Sequence, residues 1–234
     1  MNGFFYTKDL SRSFGGIHAA HNVNFSLRHC ELRSIIGPNG AGKTTLVNII
    51  TGRISANSGK VIYKNEDITN YPPHMLVKKG ISRTFQVSSM FPDLSVFENL
   101  RIAKQAKLGG SYKIFSKKES LTHINEDTWK ILQRLELKEM ANVVAKNLAY
   151  GDQRVLEVAI ALCADPEILF LDEPTAGMSP TETHRTTKLI KGLTELLTVV
   201  LIEHDMEVVM NVSDSITVLH QGKIIAEGTP EEIR

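Results

Sequence analysis

Apolar positions along the chain fall into two rhythms. Short, nearly unbroken runs such as "SIIG", "ILFLD" and "TVVLI" suit strands buried on both faces, whereas "PTETHRTTKLIKGL" and "QRVLEVAIALCA" repeat at helical spacing. Their alternation predicts an α/β fold. "ELRSIIG" is expected to be a strand that runs into "PNGAGKTTLVNIITG", a glycine-rich turn followed by a helix. "GKVIYKNEDIT" reads as a strand and turn, and "ISRTFQ" as another short strand. "EILFLDEP" and "LTVVLIEH" read as buried strands around a helix opened by Pro180, and "ITVLHQGKIIAEG" as a hairpin turning at "QG". From about Phe91 to Ala161 the period is helical; in "DTWKILQRLELKEMA", Trp129, Leu132, Leu135 and Leu137 are expected near one face. This places a helical insert at about 87–161 inside one domain spanning 1–234. The lysine-rich "KLGGSYKIFSKKES" reads as a solvated loop within it.

Composition narrows the partners rather than the fold. A chain of 234 residues can bury a substantial core as one domain. With 27 basic and 26 acidic residues and a net charge of +1, it has no global electrostatic footprint, and a nucleic-acid partner is not expected. Cys30 and Cys163 stand far apart without disulfide or zinc spacing, and both are expected to be core or near-core thiols. No apolar run is long enough to span a bilayer, and "MNGFFYTKDL" lacks the pattern of a secretory signal. The expectation is a soluble protein of a reducing compartment.

The sharpest chemical signal is "GPNGAGKT", Gly37 to Thr44, which fits G-x-x-x-x-G-K-[ST] in the strand, loop and helix context that this pattern requires. Glycines let backbone N–H groups turn inward around phosphate oxygens, and the helix start adds partial positive charge. The nucleotide-binding set is therefore Gly37, Pro38, Asn39, Gly40, Ala41, Gly42, Lys43, Thr44 and Thr45. Lys43 supplies a full charge to the β- and γ-phosphates, and the Thr44 hydroxyl can ligate Mg²⁺. "ILFLDE" ends a buried strand in acid, which aims Asp172 at the carboxyl edge where ligands bind. Asp172 is assigned to the metal, directly or through water, and Glu173 to general-base activation of water.

These motifs together resemble the nucleotide-binding subunits of ATP-binding cassette (ABC) transporters, and the resemblance covers essentially the whole chain. It implies a P-loop NTPase core of the ABC type with an antiparallel β subdomain and an inserted α-helical subdomain. Phe14 of "SRSFGG" matches the aromatic residue that stacks on adenine, although a core residue of an early strand would look the same. Gln86 of "RTFQ" resembles the residue that touches Mg²⁺ and the attacking water, and His204 of "LIEHD" the switch residue at the γ-phosphate. "ISRTFQ", "LSVFENL", "LAYGDQR" and "EPTAGMSP" look most like branched-chain amino acid importers, with urea and small-amide importers close by. Membership implies a second cassette as homo- or heterodimer, two transmembrane permeases, an external solute-binding protein acting indirectly, and a peripheral place on the cytoplasmic face of the inner membrane. The segment "VSSMFPDLSVFENL", with Met90 and Phe91 expected to be exposed, is the candidate coupling surface. A cassette for signalling or nucleic-acid work would be expected to carry duplicated cassettes or coiled-coil arms, and a nucleotide-holding module would be expected to lack Glu173 and His204.

Against the family signature L-S-G-G-Q, the chain has Leu148, Ala149, Tyr150, Gly151 and Asp152. The family's serine hydroxyl, which reaches the partner's γ-phosphate, is absent at Ala149, a loss of about 1.5–3 kcal/mol. Backbone N–H groups around Gly151 and the start of the following helix remain available to phosphate. Asp152 facing a nucleotide at about 10 Å would cost roughly 1.7 kcal/mol per unit charge, so it is expected to face away and serve the helix start. "AGMS" has Ser179 where the family often has aspartate, which leaves open the contact that the aspartate makes across the dimer. Cys30 stands where a glycine commonly precedes the P-loop strand.

Overall fold

The computed structural model describes residues 4–84, 90–107 and 118–234. Strand β1 (Phe5–Phe14) pairs antiparallel with β2 (Ile17–Val23) and β3 (Ser26–Leu27), after which β4 (Leu32–Ile36) and α1 (Lys43–Ile50) leave that sheet. The chain returns as β5 (Ser58–Tyr63), which pairs with β1 and, through a tight turn, with β6 (Glu66–Asp67). Lys64 and Asn65 in that turn both have positive φ, 49° and 64°, as a two-residue hairpin with the primed twist demands.

A second sheet carries the chemistry. After α2 (Pro73–Lys78), strand β7 (Ile81–Arg83) opens one edge, and β8 (Ile168–Asp172), β9 (Thr198–Ile202), β10 (Ser215–His220) and β11 (Lys223–Gly228) complete the order β11-β10-β4-β9-β8-β7. All its pairs are parallel except β10–β11, whose turn at Gln221 and Gly222 also has positive φ at both positions. The unbroken apolar runs follow from burial on both sides. Leu169, Leu171, Val199 and Leu201 face one cluster, and Ile168, Phe170, Val200 and Ile202 face the other. The first cluster includes side chains of α5 (Tyr150–Leu162) and α6 (Pro180–Leu193); the second includes α1 and the antiparallel sheet. Each fully buried side chain of this size stabilises by about 1.5–3 kcal/mol, so the central sheet is a rigid platform whose carboxyl edge holds its loops in place.

Between β7 and β8 lie α3 (Val96–Lys107), α4 (Lys118–Arg134) and α5, and α7 (Met206–Val212) and α8 (Pro230–Ile233) follow near the end. Ser95 and Glu98 cap α3 reciprocally, at 3.0 and 3.1 Å. Four expectations need correction. Trp129 is 42 % exposed and lies against Phe97, because the buried stripe of α4 runs through Ile124, Thr128 and Leu132, one position away. The lysine-rich stretch is not all loop: α4 already begins at Lys118, while 108–117 lie outside the described residues. Met90 is half-buried against the helical cluster rather than exposed, although Phe91 is exposed. Cys163 is buried, but Cys30 is exposed and has φ 56°. That left-handed backbone before β4 explains why glycine is favoured at the position.

Candidate functional site

The loop between β4 and α1 is held from two sides. A Cβ on Gly42 (φ 101°) would lie 2.2 Å from the Ala19 carbonyl oxygen of β2, and one on Gly37 (φ 147°) would lie 2.1 Å from that of Leu219 in β10. Only glycine satisfies both the backbone angle and the space. Gly42 is the N-cap of α1, with no side-chain cap and no acid in the first turn, so the first N–H groups of the helix remain available to an anion. They border a cavity of about 520 Å³ whose lining runs from Asn39 through Thr45 and includes Glu173. The Lys43 ammonium donates to the Gly37 carbonyl at 2.6 Å and the Pro38 carbonyl at 3.2 Å, so its charge sits inside the loop. Thr44 is exposed beside it.

Asp172 ends β8, Glu173 follows it directly, and His204 stands two residues after β9. Asp172 is nearly inaccessible: its Oδ2 accepts from Arg83 Nη2 at 2.7 Å, with side-chain exposures of 2 % and 5 %. Arg83 also donates to Asn48 Oδ1 of α1 at 2.5 Å, so it ties the phosphate-facing helix to the acid strand. Glu173 stands open, with φ 48° and its N–H donating to the Ile202 carbonyl. A glutamate in left-handed backbone costs of order 1–3 kcal/mol and aims the side chain away from the strand direction. His204 Nδ1 lies 3.8 Å from Glu173 Oε1 and 3.9 Å from Glu203 Oε2. Buried Glu203 accepts 2.6 and 3.3 Å bonds from the Thr175 hydroxyl and N–H, which lashes the loop after Glu173 to the loop carrying His204.

Among the described residues no cluster of three or more His, Cys, Asp or Glu side chains can hold a metal alone. Thr44, an exposed hydroxyl, and Asp172, buried and already paired, fit an ion held mainly by phosphate and water, as Mg²⁺ prefers. Gln86 lies outside the described residues.

Phe14 ends β1 half-exposed at 44 %, with the Arg12 guanidinium 4.8 Å from its ring centre, so it is not a core residue. The cavity wall nearest the phosphate loop is instead Ile17 and His18 of β2 and Gln221 of the hairpin, which the sequence reading passed over. Arg83 and Glu203 were passed over too. Their signals were a cation in a three-residue buried strand and an acid ending a buried run.

Leu148 to Gly151 lie at the start of α5. Ala149 is its N-cap and makes no side-chain cap. Leu148 is buried, with its carbonyl accepting from Gln153 Nε2 at 3.0 Å. The Tyr150 hydroxyl accepts from Arg154 Nε and Nη2 at 3.1 and 2.8 Å, and its ring covers Gly177, so its side chain is engaged within the chain. Asp152 Oδ1 accepts from Arg185 Nη1 of α6 at 3.0 Å, consistent with a helix-start acid turned to its own subunit. Ser179 caps α6 reciprocally with Glu182, whose carboxylate packs against Gly151: a Cβ there would lie 2.8 Å from Glu182 Oε1.

Residues 20–176 match the profile of the ABC transporter family. The high-affinity branched-chain amino acid transport ATP-binding protein LivG of Escherichia coli is 43 % identical, covering 96 % of this chain and 91 % of that protein. BraF of Pseudomonas aeruginosa, of the same description, is 41 % identical over the same shares. Among solved structures, a nucleotide-free ATP-binding cassette from an ABC transporter superimposes with a TM-score of 0.85 at 34 % identity, covering 98 % of this chain and 92 % of that one. A dimeric cassette in a post-hydrolysis state bound to ADP and Pi gives 0.78 at 27 % identity, covering 97 % and 98 %.

Proposed function

This chain belongs to the ABC transporter family, and on that footing we propose that it is the ATP-hydrolysing subunit of an importer for branched-chain amino acids. The observation that carries the catalytic part is the uncapped start of α1, which opens with Glu173 onto one cavity. The solute follows from the similarity to LivG and BraF.

ATP binds with its β- and γ-phosphates against the N–H groups from Gly40 to Thr45 and the Lys43 ammonium. Mg²⁺, held by Thr44 and through water by Asp172, supplies charge neutralisation at the phosphates. Glu173 takes a proton from water, the water oxygen bonds to the γ-phosphorus, and the bond to ADP breaks. His204, positioned by the Glu203 bridge, stands beside Glu173 to contact the γ-phosphate. Leu148 to Gly151 close on the nucleotide of a partner cassette, the same chain or a second one. Gln86 is assigned to the metal and water, and Phe14 to the adenine side. The permeases dock where buried Asn99 bonds both the N–H and the carbonyl of Phe91, at 2.6 and 3.0 Å, and so fixes the exposed ring. This docking makes the subunit peripheral on the cytoplasmic face, with the external receptor reached through the permeases.

Glu173→Gln should retain ATP binding and lose about 10²–10⁴ in turnover; unchanged steady-state ATPase activity sinks the base assignment. Copurification from the native membrane should bring down permeases, and the ATPase activity of the recovered complex should be stimulated by leucine, isoleucine or valine with their receptor. Stimulation by urea or an amide alone would reassign the solute, and recovery without any permease would reject the transport role.

A further inference from the structure

Tyr150 stands where the family signature has a glycine, at the first residue of α5 and directly before Gly151. In the function proposed above, this segment closes on the nucleotide of a partner cassette. A side chain as large as tyrosine must then be kept out of the approach to the first N–H groups of the helix. The ring is exposed, and alone it would sample several staggered rotamers over that approach. Two neighbours hold it in one place instead.

The first is Gly177, in the loop after Glu173. Its φ of 79° suits glycine, and a Cβ there would stand 3.3 Å from Tyr150 Cε1 and 3.5 Å from the hydroxyl oxygen, so the bare Cα leaves a seat for the ring edge. The second is Arg154, about one turn further along α5. Its Nε and Nη2 both donate to the Tyr150 hydroxyl, at 3.1 and 2.8 Å, and its guanidinium carbon lies 5.2 Å from the ring centre. The remaining arm is anchored as well: Nη1 donates to Glu157 Oε2 at 2.9 Å. Because Glu157 is buried, Arg154 cannot swing away without leaving that carboxylate unpaired. Positions 150, 154 and 157 share one face of the helix, so the clamp is built within α5 itself.

We infer that Arg154 is a positioning residue: it parks Tyr150 on Gly177 and so keeps the start of α5 clear for the partner's nucleotide. The inference rests on the signature reading of Leu148 to Gly151. Arg154 acts only through the ring, so its contribution disappears when the ring is absent. ATP binding to the separate cassette is left alone, because α1 lies elsewhere.

Arg154→Lys spares the fold, since lysine keeps a charge beside Glu157, but a single ammonium cannot set two fixed N–H groups on one oxygen. The variant is made in the Glu173→Gln chain, which holds ATP without turnover, and paired with whichever cassette copurifies with it. ATP-dependent association is followed by light scattering or sedimentation, alongside the ATP affinity of the separate chain. Arg154→Lys should raise the ATP concentration for half-maximal association about two- to tenfold, because closure must then order a loose ring. Separate-chain ATP affinity should not change. When Tyr150→Ala is also present, the same change at Arg154 should make no further difference. If the Glu173→Gln parent does not associate with ATP, the signature reading fails and this inference falls with it. If the parent associates and Arg154→Lys associates equally well, or if its loss persists beside Tyr150→Ala, the signature reading stands and the positioning role of Arg154 is overturned.

Discussion

Helices α1 and α5 both begin at a residue that gives no side-chain cap, Gly42 and Ala149, yet the two starts are prepared for different events. Around α1 the first turn has no acid, a lysine charge lies in the loop, and the N–H groups open onto a cavity. Around α5 the first turn contains Asp152, and the Glu182 carboxylate of α6 packs against Gly151. The acids near each start are also treated differently. Asp172 is matched by Arg83 in a buried pair, and Asp152 by Arg185 in a more exposed one, with side-chain exposures of 17 % and 40 %. Dielectric surroundings set the consequence: a buried charge left alone is far more costly than one that water can reach. One start is thus open and free of acid, and the other has two acids of its own chain beside it.

Four substitutions would break or sharpen this contrast, beginning with the largest effect. Arg83→Met leaves Asp172 buried without its partner and should cost about 3–5 kcal/mol, read as a drop of roughly 10 °C or more in melting temperature for a chain of this size. A fall of under 2 °C would show that Asp172 is not committed to Arg83. Lys43→Ala should weaken ATP binding by the separate chain about 10- to 100-fold, through loss of a charged hydrogen bond worth about 1.5–3 kcal/mol. Calorimetric titration checks this, and equal binding would mean that the start of α1 does not hold the phosphates.

The corresponding changes at α5 should be small. Arg185→Met should cost only about 0.2–1 kcal/mol in stability, because its pair with Asp152 is partly solvated. It should also raise the ATP needed for association with a second cassette, by leaving the Asp152 charge unpaired beside the signature. Ala149→Ser should stabilise by about 0.5–1 kcal/mol, because it adds a side-chain acceptor at a helix start that has none. No gain in chemical denaturation would show that the first N–H groups of α5 do not lack an acceptor.

Several features were legible because they depend on local chemistry. The "GPNGAGKT" loop announced its own backbone, since glycines at 37 and 42 are forced by positive φ and by neighbours about 2 Å from any Cβ. The apolar runs of β8 and β9 announced burial on both faces, and "QG" its hairpin turn. Trp129 was misplaced because its stretch contains more apolar positions than the buried stripe of α4 uses, and only the packing of α3 selects among them. Cys30 was misplaced because its left-handed backbone is a property of the loop into β4, invisible in the residue itself.

The sequence by itself determined the buried strands β4, β8 and β9, the helices α5 and α6, the β10–β11 hairpin and the glycine-rich loop before α1, because these rest on periodicity and on residues adjacent in the chain. Only the tertiary structure decided which charges meet. Arg83 reaches Asp172 across 89 positions, Thr175 reaches Glu203 across 28, and Arg185 reaches Asp152 across 33. Glu182 lies against Gly151 because α6 packs beside α5. Coulomb interactions and hydrogen bonds act over a few ångströms of space regardless of chain separation, so which charges stand beside a helix start is settled by packing.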